Sequence, residues 1–371
     1  MIPGGISPYI PFASALVWNR AQADDSPVKV HVSFSPDWFA SRMGLDLGER
    51  WHRDPIHRRE SFVGMAKALN AEFPRLRLGG EPEEIRGGLS QAYTCAPVAA
   101  LFGQEVRFGS VSWPENERRQ LDDAAAEALE EPDVEAHPLY ADIIRQADIV
   151  EREWGAVEGE LNYQGVLNTA FRLRGEGIFT DMAAAPERAH RVLGVATRTT
   201  MRFADAVYAR QARSGVRKDY FVTSNCVVNM ISEAHYREFV LPYDRMLSDH
   251  WPYFGIHNCG WTVDAYAGAY AEIRELGYLD FGVRSDLRRL RKLFPRTVLT
   301  LILNPDDVVG KSHAEMGRLL RGVADALDSC RIIVGSLDGT TPAETVDSFF
   351  DAVAEAWGCS AEQLVPQPHF G

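Results

Sequence analysis

The chain contains no uninterrupted apolar run approaching the ~18 residues that a membrane-spanning helix needs. Cysteine is scarce: there are five in 371 residues, an odd number that rules out a fully paired disulfide framework. Basic residues are outnumbered, with 39 Lys and Arg against 52 Asp and Glu and a formal charge of −13. Such a surface repels phosphate backbones, which argues against nucleic acid as a partner. The opening residues, Met1-Ile-Pro-Gly-Gly-Ile, lack the basic-then-apolar pattern of a signal peptide. The expected setting is the reducing cytoplasm, away from membrane and nucleic acid, where free thiols persist and can bind metal. One local exception to the acidic balance runs from Arg284 to Arg296, with five Arg and one Lys. Leu287, Leu290 and Leu293 would form the buried stripe there, so the cluster reads as a solvated helix face.

What the chain does have is a rhythm. Short apolar runs occur at Tyr220-Phe221-Val222, Tyr253 to Ile256, Tyr278-Leu279, Val298 to Leu303 and Ile332-Ile333-Val334. Each is followed by a turn and a helical pattern. Ser312 with Glu315 forms a capping box ahead of Met316, Leu319, Leu320, Val323 and Leu327. Thr341-Pro342-Ala343-Glu344 offers an N-cap and a proline at the first helical position, ahead of Val346, Phe349, Phe350 and Val353. Gly277 reads as a helix stop before Tyr278. Strands alternating with helices at roughly 30-residue intervals predict βαβ units and a parallel sheet, either doubly wound or closed into a barrel. The first half is less regular. Val28 to Val32 reads as a strand, and Ala124 to Val134, carrying Glu127, Glu130 and Glu131, as an exposed acidic insertion. Two tempting motifs fail. Gly310-Lys311-Ser312 has Pro305 where a phosphate loop needs glycine, and Asp280-Phe281-Gly282 lacks every other kinase signature.

In a barrel, chemistry sits at the carboxyl ends of the strands. Those ends supply Ser33, Ser35 and Asp37; Asn162 and Gln164; Asn225 and Cys226; His257 and Cys259; Asp280; Asn304 and Asp306; and Ser336 and Asp338. His257-Asn258-Cys259-Gly260 is the strongest local signal, because a histidine and a cysteine two apart at a strand end are both zinc ligands. The competing reading is a hydrogen-bonded histidine beside an inert thiol.

His257-Asn258-Cys259-Gly260 followed by Leu279-Asp280-Phe281 resembles the sixth and seventh segments of uroporphyrinogen decarboxylase-like barrels. Asn304-Pro305-Asp306-Asp307-Val308-Val309 resembles the family's Asn-x-Asp-Pro turn, and Gly335 to Glu344 its final strand and helix start. Ile231-Ser232 through Tyr236-Arg237-Glu238-Phe239-Val240-Leu241-Pro242-Tyr243 is similar to another family segment, as is Phe171 to Gly175 with Asp181 and Pro186-Glu187. The similarity runs from about residue 160 to the end. It implies an α/β fold, a TIM-type (β/α)₈ barrel occupying residues 1–371 as a single domain. An N-terminal extension at 1–27 and a helical insertion at about 111–158 would be added to it.

The resemblance also implies an enzyme. True uroporphyrinogen decarboxylases carry an arginine-rich segment after the first strand to hold a many-carboxylate substrate. Here that place reads Ser33-Phe34-Ser35-Pro36-Asp37-Trp38-Phe39, with no arginine until Arg42. The other branch, the corrinoid-linked methyltransferases, holds zinc with a His-x-Cys pair and a later cysteine. His257 and Cys259 match the pair, but the later position reads Gly335-Ser336. Cys226 is the best substitute, then Asp280 and Asp338; Cys330 falls at the opposite end of the barrel. The implied activity is methyl transfer between a small molecule and a corrinoid or thiol acceptor, with zinc as Lewis acid. The corrinoid would ride on a separate carrier protein, since no Asp-x-His-x-x-Gly motif is present. Asp280, Asp37 and Asn225 are the candidate catalytic residues, and Asn162, Gln164, Ser336 and Asp338 the candidate substrate contacts. The alternative is a metal-free decarboxylase or lyase acting on a small acid, with Asp37 or Asp280 as proton donor and Arg172, Arg174 or Arg284 holding the acid group. A third possibility is a barrel without catalysis that binds a ligand. Homodimerisation stays open.

Overall fold

Strands form where β-branched and aromatic residues cluster between turns. The computed structural model describes residues 27–365 apart from 118 and 275. Residues 1–26, nearly all of the expected N-terminal extension, lie outside the described residues. Six strands pair in parallel: β1 (Val28–Phe34), β4 (Tyr220–Ser224), β5 (Tyr253–His257), β6 (Leu276–Gly282), β7 (Val298–Leu303) and β8 (Cys330–Leu337). Their order is β1-β8-β7-β6-β5-β4. A small antiparallel hairpin, β2 (Val106–Arg107) and β3 (Glu115–Asn116), stands apart.

The architecture is the α/β (β/α)₈ barrel, in which six staves are regular strands. Between β1 and β4 two extended segments lie side by side, the Leu89 N–H donating to Glu158 O at 2.8 Å. Glycine makes this approach possible. A Cβ on Gly159, at φ +95°, would fall 2.4 Å from Ser90 N, and one on Gly165 would fall 2.1 Å from Ser224 O. Tyr163 then stacks on Phe221 of β4 at 5.5 Å.

Alternation along the strands sorts side chains into two environments. Val30, Val32, Phe34, Leu299, Leu301, Leu303, Ile332 and Val334 belong to the large core beneath the helices, whereas Ile302 and Ile333 form a cluster of their own. Those two are in register with each other, and Ile333 with His31, so this second set lines the barrel lumen. Gly277 stands inside β6 and does not end a helix. Phe254 pairs with Leu276 but Gly255 with Tyr278, so Gly277 is the extra residue of a β-bulge. The last long helix, Ala343–Trp357, takes Pro342 as its N-cap, one residue later than Thr341. The Ser312 capping box is present as expected.

The acidic stretch is not simply solvated. Ala126 and Val134 are buried, and its carboxylates lie along the helix Pro186–Arg213. There Glu127 meets Arg188 at 2.9 Å and Glu131 meets Arg198, and just beyond the stretch Glu135 meets Arg202 at 3.7 Å. Exposed pairs of this kind contribute at most about 1 kcal/mol each. A longer helix, Pro138–Trp154, follows within the region expected as a helical insertion. Among the described residues no helix is long and apolar enough to cross a membrane.

Two histidines make the fold sensitive to acid. Burial pushes the His31 pKa down to about 4; burial, with Arg58 beside it, pushes His52 down to about 3. Both stay neutral in the fold, while the unfolded chain protonates near 6.5. Stability is therefore fully present above pH ~6.5 and is lost as pH falls towards the folded values, by a few kcal/mol per group as an order of magnitude. Urea unfolding at stepped pH should show this loss, and His31→Gln should flatten it. A slope unchanged in both His31→Gln and His52→Gln would refute the assignment.

Candidate metal centre

Three strand ends build the site. Gly255 in β5 carries no side chain because Val222 and Tyr278 crowd it; a Cβ there would lie 2.9 and 3.0 Å from their atoms. That close packing brings β5 and β6 together and sets His257, the last residue of β5, opposite Asp280. The His257 Nδ1 and Asp280 Oδ2 are 2.6 Å apart. Asp280 is fully buried and is satisfied by further donors, Tyr278 OH at 3.0 Å and the Asn258 N–H at 2.6 Å. The Asn258 amide also donates to Asp280 O at 2.7 Å and accepts from Tyr270 OH at 2.9 Å.

Every residue of His257-Asn258-Cys259-Gly260 thus has a local task. The histidine engages Asp280 and the asparagine pins the turn to β6. Cys259 adopts a left-handed backbone at φ 50°, a strained conformation for a residue with a side chain. Gly260 lies so close to β6 that a Cβ on Gly282 would overlap its carbonyl oxygen at 1.8 Å. Gln164, which follows an extended segment, and Ser336, near the end of β8, share the left-handed backbone, with φ 59° and 56°.

On the neighbouring strand, the Asn225 N–H donates to His257 O at 2.7 Å, extending the β4–β5 pairing by one residue. The chain then turns and brings Cys226 Sγ to 2.8 Å from Cys259 Sγ, while His257 Nε2 stands 2.9 Å from Cys259 Sγ. The three donor atoms lie within 4.8 Å of one another. Among the described residues no other His, Cys, Asp or Glu joins this group. With Nδ1 facing Asp280, Nε2 is left to face the sulfurs, the tautomer arrangement of carboxylate–histidine–metal sites.

The electrostatics agree. The hydrogen bond with the Cys259 thiol holds Cys226 well below the usual thiol range, and His257 adds to this against the effect of burial. The same bond, with burial, pushes Cys259 up. Burial would lower His257, but the charge of Asp280, then the sulfurs, hold it well above its ordinary value. Without metal the trio is therefore an imidazolium with a shared thiolate, ready to exchange protons for a cation.

The other expected residues divide. Asn162 and Gln164 reach the site through a chain of amides. Gln164 Nε2 donates to Asn162 Oδ1 at 3.0 Å, Asn168 Nδ2 to Gln164 Oε1 at 3.2 Å, and Asn168 supports Cys226 and accepts from the Val227 N–H at 3.0 Å. Asn168 escapes sequence reasoning; its only signal is a spacing of four from Gln164 at the start of a helix. Asn225 is fully buried and donates to Asp244 Oδ2 at 3.0 Å, which also accepts from Tyr236 OH, so it braces the turn. Asp280 likewise acts on His257 and contributes no metal-ligand atom. Asp37 is exposed, accepts from the Gly339 N–H at 3.2 Å, and is held below its usual range by the Ser35 hydroxyl. A carboxyl held ionised in this way is a poor proton donor. Asp338 caps its own turn through Thr340 and Thr341, with a lowered pKa from the Thr340 bond, and supplies no ligand. Ser336 presents its N–H to Ser33 Oγ at 3.3 Å. Cys330 opens β8 at the far end, where burial raises its thiol to about 12.

In metal-free protein at neutral pH, iodoacetamide should alkylate Cys226 before the other cysteines. Asp280→Asn should slow that reaction by roughly tenfold, the worth of one pKa unit. Peptide mapping that finds Cys95 or Cys359 labelled first would contradict the assignment.

No curated protein matches the chain at a significant level. Among solved structures, a methyltransferase from Methanosarcina mazei superposes with a TM-score of 0.61 at 14% identity, covering 87% of this chain and 91% of that one. At such identity the likeness shows the fold alone. The family model of uroporphyrinogen decarboxylase matches residues 92–356, more than two thirds of the chain, and spans every strand end of the Cys-His centre. The chain belongs to the uroporphyrinogen decarboxylase family of enzymes.

Proposed function

We propose that this enzyme is a methyltransferase that moves a methyl group between a small molecule and a corrinoid or thiol acceptor, with zinc held by Cys226, His257 and Cys259. The observation that carries the reading is the convergence of two sulfurs and one imidazole nitrogen within 4.8 Å at the carboxyl ends of β4 and β5. Two thiolates and a neutral imidazole fit zinc by donor chemistry, and three protein ligands leave a position for substrate. The methyltransferase that shares the fold is in keeping with this. Bound zinc would lower the pKa of a thiol acceptor or polarise the heteroatom that releases a methyl group.

The chain's own residues do the rest. Asp280 fixes the orientation and tautomer of His257. Asn168 steadies Cys226, and the Asn162–Gln164 amides line the adjoining rim as polar contacts for substrate. The corrinoid would arrive on a separate carrier protein, and the compartment in keeping with free thiols is the cytoplasm. The metal-free decarboxylase reading is the less well supported, since of its candidate acid-binding arginines only Arg284 is free of a partner among the described residues. Arg174 is paired with Asp181 at 2.9 Å and with Asp123, Arg172 is bonded to Asn116 and Cys95, and Asp280 is buried against His257.

Protein purified under reducing conditions should carry about one zinc per chain. His257→Ala should lose it, Cys226→Ser should bind it more weakly, and Asp280→Asn should lower affinity by about 10–100-fold. Methyl transfer from free methylcobalamin to a thiol should follow the metal content across the series. A wild-type protein that takes up no zinc on reconstitution would overturn the reading.

A further inference from the structure

The metal centre occupies one end of the barrel. At the other end, below the first residues of β7 and β8, the structure has a half-open cavity of about 260 Å³. Arg291, Arg296 and Arg331 line it together with Thr297, Ser329 and Cys330, and among the described residues no acidic one is part of its lining. Two of these arginines come from the basic stretch that the sequence presents as a solvated helix face. For Arg288, Arg289 and Lys292 that description holds, since all three are exposed. It fails for Arg291.

The helix Leu287–Leu293 buries Leu290 and is followed by the buried Phe294. This turns the half-buried Arg291 inward beneath the sheet. Its Nη2 donates to Ser329 O at 2.6 Å, but its Nε is buried without a hydrogen-bond partner. Neither Arg291 nor Arg296 forms an ion pair among the described residues, although Cys330 and Asp328 favour the charged form of Arg291 electrostatically. Burial lowers the Arg291 pKa, as expected of a cation short of counter-charge. A buried cation left without an anion is costly. Arginine lines such sites because its planar donors match a carboxylate or phosphate group. The overall charge of −13 makes the cluster a local feature against the general field.

We propose that this cavity is a binding site for a small oxyanion, a phosphate ester or a dicarboxylate, at the barrel end opposite the metal centre. The anion supplies the charge that Arg291 and Arg296 lack, and the cavity houses the body of the molecule.

Calorimetric titration of the full-length protein with inorganic phosphate, glycerol 3-phosphate and succinate, at matched ionic strength in chloride, tests this. Saturable binding is expected for the phosphate pair or for succinate, which distinguishes the two sources of the oxyanion. Arg296→Gln, at an exposed position, leaves the fold intact and should weaken binding by about tenfold, the worth of one charge-assisted hydrogen bond. Arg291→Gln should abolish binding while melting no lower than wild type without anion, because it removes a half-buried cation that has no ion pair and a buried Nε that has no acceptor. Absence of saturable binding by all three probes overturns the proposal, as does binding that persists unchanged in both variants. His257→Ala should bind the anion as wild type does, so the result stands apart from the question of zinc.

Discussion

The hydrogen bond between His257 and Asp280, 2.6 Å long and closed to solvent, organises the whole carboxyl rim. A carboxylate is tolerable at such depth only when its lone pairs are engaged, and here the Asn258 N–H, Tyr278 OH and the imidazole engage them. The same bond decides which nitrogen of His257 faces outward. It holds β5 and β6 at one height, and through the Asn225–His257 backbone bond it fixes the height of β4 as well. Two cysteines on different strands meet because this one polar contact sets their common level.

The two ends of the barrel are built on different terms. At the carboxyl end, backbone strain is accepted where chemistry is placed: Gln164, Cys259 and Ser336 all take left-handed conformations that cost energy unless the surroundings enforce them. Close glycine packing at Gly260 and Gly282 provides that enforcement around Cys259. At the amino end what stands out is a cluster of arginines beside a cavity, of which Arg291 and Arg296 form no ion pair among the described residues.

The regular half of the fold is legible in the sequence because its strands are short apolar runs between helices with plain caps. Ser312 and Glu315 announce their helix correctly. The irregular staves are not legible. They are shaped by side-chain hydrogen bonds and by glycines such as Gly159 and Gly165, whose role is to admit a neighbouring backbone, and no periodicity records that. The His-x-Cys pair is legible because both ligands sit on one strand end. Cys226 could be nominated only by its place after β4, since its partnership with Cys259 depends on strand register. Asn168 could not be nominated at all, because an amide in the first turn of a helix looks like any solvated polar residue.

The bulge at Gly277 carries a consequence of another kind. Leu276, on the near side of it, packs outward with Phe254, while Tyr278, two residues on, turns into the lumen beside Gly255. In an unbroken strand residues two apart share a face. The one surplus backbone unit therefore acts as a frameshift in the spatial sense, moving Tyr278 and Asp280 into phase with His257 and sending Leu279 and Phe281 out to the helices. Like a coding frame, this strand has a phase to keep. Substitutions along it are individually negotiable, but loss or gain of one residue at its amino end exchanges the wet face for the greasy one and erases the centre at a stroke.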